Sequence, residues 1–173
     1  AKQIGIEQST AITCVKPSGT VSQLVNSASG IHARYAPYYI RRVRGGLTDP
    51  LTRFLSDAGV PNEVDVTNPD IVVFDFPQEA PTDATVTDDM TALDQLELWL
   101  AYQEFWCEHK PSVTVSVAED EWMSVGAWVY DHFDQVSGIS FLPKSDHTYR
   151  QAPYERITDL EYAKLCNSSP MKI

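Results

Sequence analysis

Cysteine is scarce in this chain: Cys14, Cys107 and Cys166 are the only three in 173 residues. They are scattered and form no C-x-x-C pair, which excludes a disulfide framework and the common zinc patterns. Cys107 and His109 stand two apart, but no second pair of ligands accompanies them, so no metal site is expected. Positive charge is also short, with 13 Lys and Arg against 24 Asp and Glu and a net charge of −11. That balance disfavours general nucleic-acid binding, because a phosphate backbone is met by many basic side chains. No apolar run approaches the roughly 18 residues of a membrane span, and no signal-peptide pattern opens the chain. The expectation is a soluble cytoplasmic protein with neither nucleic acid nor membrane as partner. A Walker A loop is missing too, since Lys16 precedes the small-residue turn instead of following a second glycine. No Met stands ahead of Ala1, so the chain is expected to begin partway through a larger design.

What is present suits a globular protein: 43% of residues are hydrophobic, and the length allows one domain with a real core. The charge is uneven. Residues 1–44 hold Lys2, Lys16, Arg34, Arg41, Arg42 and Arg44 against Glu7 alone, a local +5 that leaves −16 for the rest. Such a basic segment can focus nucleotide phosphates into one pocket. Equally, Arg41, Arg42 and Arg44 can belong to a solvated strand face.

Within that segment lies TAITCVKPSGTVSQ, residues 10–23. Residues 11–15 read as a buried strand, Lys16-Pro17 breaks it, and a helix opens over 18–25. The first amides of a helix lack partners and sit at the positive end of the macrodipole, so Ser18, Gly19, Thr20 and Ser22 suit an anion. Gly19 permits close approach to the backbone, and the hydroxyls add donors. The same residues are also ordinary capping chemistry, and on residue types alone both readings stand. Cys14, on the approach, reads as a small buried hydrophobe.

Taken in order, residues 1–8 read as a helix end stopped by Gly5, and 27–35 as a loop turned by Gly30. Residues 38–44 read as a strand ended by Gly45-Gly46. Asp49-Pro50 opens a helix closed by Gly59, and IVVFDF at 71–76 should pair with the 38–44 strand. Residues 77–89, rich in Pro, Thr and Asp, read as an exposed loop. Thr91 caps a helix to about Glu108, with Asp94 completing a capping box. Its apolar residues run nearly all round, which predicts burial on several sides or packing against another chain. SVTVSV at 112–117 alternates strictly, the pattern of a strand with one apolar face and one hydroxyl face that can line a pocket. A helix over 119–134 and a strand over 138–142 complete a parallel βαβ unit. The residues from Lys144 onward are polar, with a short helix at 159–166.

Several strings taken together resemble one family. KPSGTVSQL, SASGIHARYAPYYIRRVR, SVTVSV, GISFLP and QAPYE occur in the order seen in the C-terminal part of the catalytic subunit of ribonucleotide reductases. The chain is most similar to the class II enzymes, which depend on adenosylcobalamin. The resemblance runs from about Ile12 to Tyr154. It implies that the turn of Pro17, Ser18, Gly19, Thr20, Val21 and Ser22 binds the phosphates of the substrate nucleotide. It also implies an α/β fold that is the C-terminal portion of a ten-stranded α/β barrel. This chain would supply about three barrel strands with their helices, a hairpin excursion at 38–89 and a polar extension at 144–173, all of 1–173 forming one partial domain.

The family's radical-bearing cysteine, within an Asn-Pro-Cys-Gly-Glu signature, is absent, as are its reducing pair and its tail cysteines. The stretch Phe141-Leu142-Pro143 offers no phenol for long-range radical transfer, which favours adenosylcobalamin, bound mainly by another segment. The resemblance therefore implies a fragment or small subunit, from a split gene or a cut chain, that is inactive alone. A larger N-terminal polypeptide would complete it, with a ribonucleotide as substrate and a thioredoxin-type reductant. A non-catalytic nucleotide-phosphate-binding or assembly module is the alternative.

Overall fold

The chain's computed structural model describes residues 1–144 and 149–168. In chain order the elements are α1 (Val21–Leu24), β1 (Tyr38–Gly46), α2 (Pro50–Asp57), β2 (Asn62–Val64), β3 (Ile71–Glu79), α3 (Ala92–Phe105), β4 (Thr114–Val117), α4 (Trp122–Asp131), β5 (Ser140–Pro143), β6 (Tyr154–Arg156) and α5 (Asp159–Ser168). They fall into two compact units. One takes Ala1–Arg34 and the described residues of Thr87–Ser145, the other Tyr35–Val86 and the described residues of Asp146–Ile173. Residues 145–148 and 169–173 of the expected polar extension lie outside the described residues.

The first unit is built on a parallel pair. β4 and β5 run in register from Thr114↔Ser140 to Val117↔Pro143, with α4 as the crossover, as the strand–helix–strand pattern predicts. Strict alternation buries Val113, Val115 and Val117 at 5, 0 and 0% exposure. Against them pack Leu96 and Trp99 of α3 and Val125 and Trp128 of α4. Trp99 is fully buried and still satisfies its indole N–H on the Pro111 carbonyl at 3.0 Å. The Thr91/Asp94 capping box forms in both directions. α3 buries Ala92, Gln95, Leu96 and Trp99 and packs Leu93, Leu98 and Leu100, partly buried, against the same core, while Phe105 and, just past the helix end, Trp106 remain 79 and 57% exposed.

Four expectations in this unit need correction. Residues 11–15 do not form a strand. They run beside the chain after α3, with His109 N–H donating to the Thr13 carbonyl (3.1 Å) and Ser112 N–H to that of Val15 (3.0 Å). Apolar composition predicted a strand, but a strand also needs a regular ladder, and two bonds on one side do not make one. Cys14 is consequently exposed, not buried. The helix expected over 18–25 is the single turn α1, and residues 2–4 form only a 3₁₀ turn stopped by Gly5 at φ 69°.

The second unit is an antiparallel sheet of order β2-β3-β1-β6. β1 pairs with β3 from Tyr38↔Glu79 to Gly46↔Ile71, the pairing expected of the two apolar runs. β3 extends through Pro77, where a loop is expected from composition. Ala80 N–H bonds the Pro37 carbonyl, so alternation places Pro77 at a non-hydrogen-bonded position opposite Ile40, where its missing N–H costs nothing. Asp49 caps α2 on Leu51 N–H with Pro50 at its first position. The short edge strand β6, absent from the sequence reading, brings the QAPYE string beside β1. Among the described residues no helix is long and apolar enough to cross a membrane.

Candidate functional site

The turn at 16–22 is held from beneath by its own small residues. Ser18 Oγ accepts the Ser22 N–H at 3.1 Å, and the Ser22 hydroxyl donates to the Ser18 carbonyl at 2.9 Å. Ser29 closes the other side: its Oγ accepts the Ser18 N–H (2.8 Å) and donates to the Ser18 carbonyl (3.0 Å). The Lys16 ammonium bonds the Lys110 carbonyl at 3.1 Å and Ser112 Oγ at 2.9 Å, which fixes the entry to the turn against the start of β4.

These bonds sort the six expected site residues. Ser18 and Ser22 spend their hydroxyls inside the turn, and Ser22 is buried. Pro17, Gly19, Thr20 and Val21 are exposed. Among the described residues the N–H and hydroxyl of Thr20 and the N–H of Val21 take no partner, and they stand together at the start of α1. Backbone amides at a helix start beside a free hydroxyl are the donor set that an anion takes.

Gly30 and His32, both in the SASGIH string, complete the support. Gly30 adopts φ 60°, and a Cβ there would stand 3.1 Å from the Lys16 carbonyl oxygen and 3.3 Å from Pro17 N. The sequence shows Gly30 as a turn former but not what its missing side chain makes room for. Ser29 and His32 are missed altogether; the only signal was a cluster of small and polar residues in one loop.

The arginines do not converge on an anion. Arg42 bonds Asp75 at 3.0 Å and Glu155 at 2.5 Å, Arg44 bonds Asp65 at 2.9 Å, and Arg41 bonds the Tyr154 hydroxyl. Arg42 and Arg44 are thus paired with acids of the second unit, while Arg44 also stays exposed, as a solvated strand face predicts for at least one of the three. Arg34 is 4% exposed and bonds the Ser27 carbonyl and Asn26 Oδ1. Gln151, at φ 61° and 2% exposed, plugs the β2 end: its amide accepts from Val66 N–H and donates to Val64 O and Glu63.

Asp65 is 8% exposed and is the hub of an Asx turn, accepting from the Thr67 hydroxyl and N–H and from Asn68 N–H as well as from Arg44. The Thr67 bonds first, then Arg44, hold its carboxyl well below the usual carboxylate range. A depressed folded-state value adds stability that is complete above the unfolded value, about 4, and is lost as pH falls toward the folded one. Asp65→Asn is expected to flatten the acid limb of this unit's stability, read as hydrogen exchange of the β1 and β3 amides between about pH 6 and 3. An unchanged acid limb would refute it.

In class, these observations describe an α/β chain carrying a turn with open amide and hydroxyl donors. The comparisons narrow it. No protein-family model matches the chain. It is 34% identical over 160 residues to the adenosylcobalamin-dependent ribonucleoside-triphosphate reductase of Euglena gracilis, covering 91% of this chain and 22% of that protein. To the reductase named probable from Dictyostelium discoideum it is 33% identical, covering 94 and 22%. The Lactobacillus gasseri enzyme is 29% identical, with 96 and 23% covered. A crystal structure of a B12-dependent, class II ribonucleotide reductase superposes with a TM-score of 0.79 at 26% identity, over 91% of this chain and 22% of that one. The chain is homologous to a segment of the class II ribonucleotide reductases, and it spans just over a fifth of the relatives' length.

Proposed function

We propose that this chain is the part of an adenosylcobalamin-dependent ribonucleotide reductase that holds the substrate's phosphates, and that it forms a C-terminal portion of the family's barrel. The observation that carries the reading is the division of labour in the turn. Ser18, Ser22 and Ser29 saturate one another, which leaves Thr20 and Val21 presenting donors outward on a fixed loop. Preorganised donors bind an anion without the cost of ordering themselves. Pro17 sets the turn's entry, and Gly19 leaves the approach open.

The radical chemistry belongs to the rest of the enzyme. Asn-Pro-Cys-Gly-Glu does not occur in this sequence, and a larger segment carrying it completes the site. Adenosylcobalamin, which supplies the radical when bound, lies mainly with that segment. Among the described residues no group of three or more His, Cys, Asp or Glu is placed to hold a metal ion. A thioredoxin-type reductant serves the assembled enzyme.

Thr20→Val in the complete reductase should weaken substrate binding by about 1–3 kcal/mol, the value of one hydrogen bond to a charged group. Ser18→Ala, which removes the acceptor of Ser22 N–H, should lose a similar amount indirectly. Both are read as KM for the ribonucleotide, and unchanged KM in both would remove the turn from the substrate site. Native mass spectrometry of the protein from its source tests the assembly, since a stable monomer that binds nucleotide alone would instead fit a non-catalytic module.

A further inference from the structure

The turn is not free-standing; one histidine ties it to β4. His32 Nε2 lies 3.0 Å from the Thr114 backbone N–H, and its Nδ1 lies 2.8 Å from the Ser29 carbonyl. An amide N–H can only donate and a carbonyl can only accept. The ring must therefore be neutral, with its proton on Nδ1. Ser29, whose carbonyl receives that proton, is the residue whose hydroxyl clamps both backbone groups of Ser18.

Chain and chemistry thus run in one line: Thr114 N–H to His32, His32 to the Ser29 carbonyl, Ser29 Oγ to Ser18, and Ser18 Oγ to Ser22 N–H at the helix start. We infer that His32 is a positioning residue for the phosphate turn, holding the Ser29–Gly30 loop at a fixed height above the start of β4. The inference rests on the reading of that turn as the substrate-phosphate site. Two features make the role one of placement. His32 hydrogen-bonds neither Thr20 nor Val21, and the backbone bond from His32 N–H to Ser29 O, 3.2 Å, does not involve the ring. Losing the ring should let the turn shift without unfolding it.

The test uses the complete reductase. His32→Ala should raise KM for the ribonucleotide about tenfold, the effect of one lost hydrogen-bonded link, with kcat held within about twofold. Inorganic triphosphate, titrated calorimetrically, should weaken in parallel. His32→Asn can restore only the Nδ1 donation to Ser29 O and not the acceptor for Thr114 N–H, so it should remain nearly as impaired as His32→Ala, which a role confined to local loop order would not allow. Wild-type KM in His32→Ala, or in His32→Asn, would overturn the role. Thr20→Val is the control: a raised KM there beside an unchanged His32→Ala rejects the histidine alone, whereas no change in either rejects the phosphate site and this role with it. Should His32→Ala fail to fold, the imidazole ¹⁵N shifts of the wild-type enzyme still decide, because a proton on Nε2 is incompatible with the link.

Discussion

Gly30→Val is expected to raise KM for the ribonucleotide by roughly 30- to 1,000-fold, equivalent to about 2–4 kcal/mol. The loss has two sources. Valine at φ 60° is a left-handed β-branched residue, a strain of about 1–3 kcal/mol. Its Cβ would also press on Lys16 C at 3.3 Å and Pro17 N at 3.3 Å, which are backbone atoms, not a flexible side-chain end. Pro17 cannot rotate away because its ring fixes φ, so the overlap, worth about 1–3 kcal/mol, is relieved by displacing the turn itself. Gly19→Ala separates support from contact. A Cβ at Gly19 meets nothing within 4 Å, so a loss of binding in that variant reports the ligand and not the fold. Steady-state kinetics on the complete enzyme check both, and a Gly30→Val KM within about threefold of wild type would contradict the buttress role.

Local chemistry was readable from the chain and tertiary chemistry was not. Thr91 with Asp94, Asp49 with Pro50 and the valines of 113–117 are neighbours in sequence, so their caps and alternation can be read directly. Arg42 finds Asp75 at 33 residues' distance and Glu155 at 113, and His32 finds Thr114 at 82. No local pattern encodes such pairs. The turn shows the same divide: its residue types suit an anion and plain capping alike, and only the fold shows that Ser18 and Ser22 bond inward while Thr20 stays exposed. Residues 11–15 failed for a related reason, since composition predicts a strand but pairing partners decide whether one forms.

Arg42→Met is expected to destabilise the antiparallel unit by about 2–4 kcal/mol. The Arg42 side chain is 10% exposed and holds Asp75, Glu155 and the Ala152 carbonyl at once, bridging β1 to both of its neighbouring segments. Removing one member of a buried pair leaves the other as an uncompensated charge, which costs about 3–5 kcal/mol when burial is complete. Here Asp75 and Glu155 keep 30 and 41% exposure, and water recovers part of that sum. Asp75 gives the loss a pH signature. Burial already holds its carboxyl above the ordinary range, despite the opposing pull of Arg42, and without Arg42 it must rise further. An acid whose folded value exceeds its unfolded one destabilises the fold above that folded value and ceases to as it protonates. The deficit of Arg42→Met should therefore be greatest near neutral pH and shrink as pH falls toward about 4, the unfolded carboxylate value. This trend runs opposite to that of Asp65, which loses its contribution in acid. Adding Asp75→Leu to Arg42→Met removes the stranded charge and should recover much of the loss, a non-additivity that a double-mutant cycle measures directly. Hydrogen exchange of the β1 and β3 amides in the complete protein is the local readout. Protection within about 0.5 kcal/mol of wild type, or a deficit that grows in acid, would show that Arg42 is not the bridge that holds this sheet together.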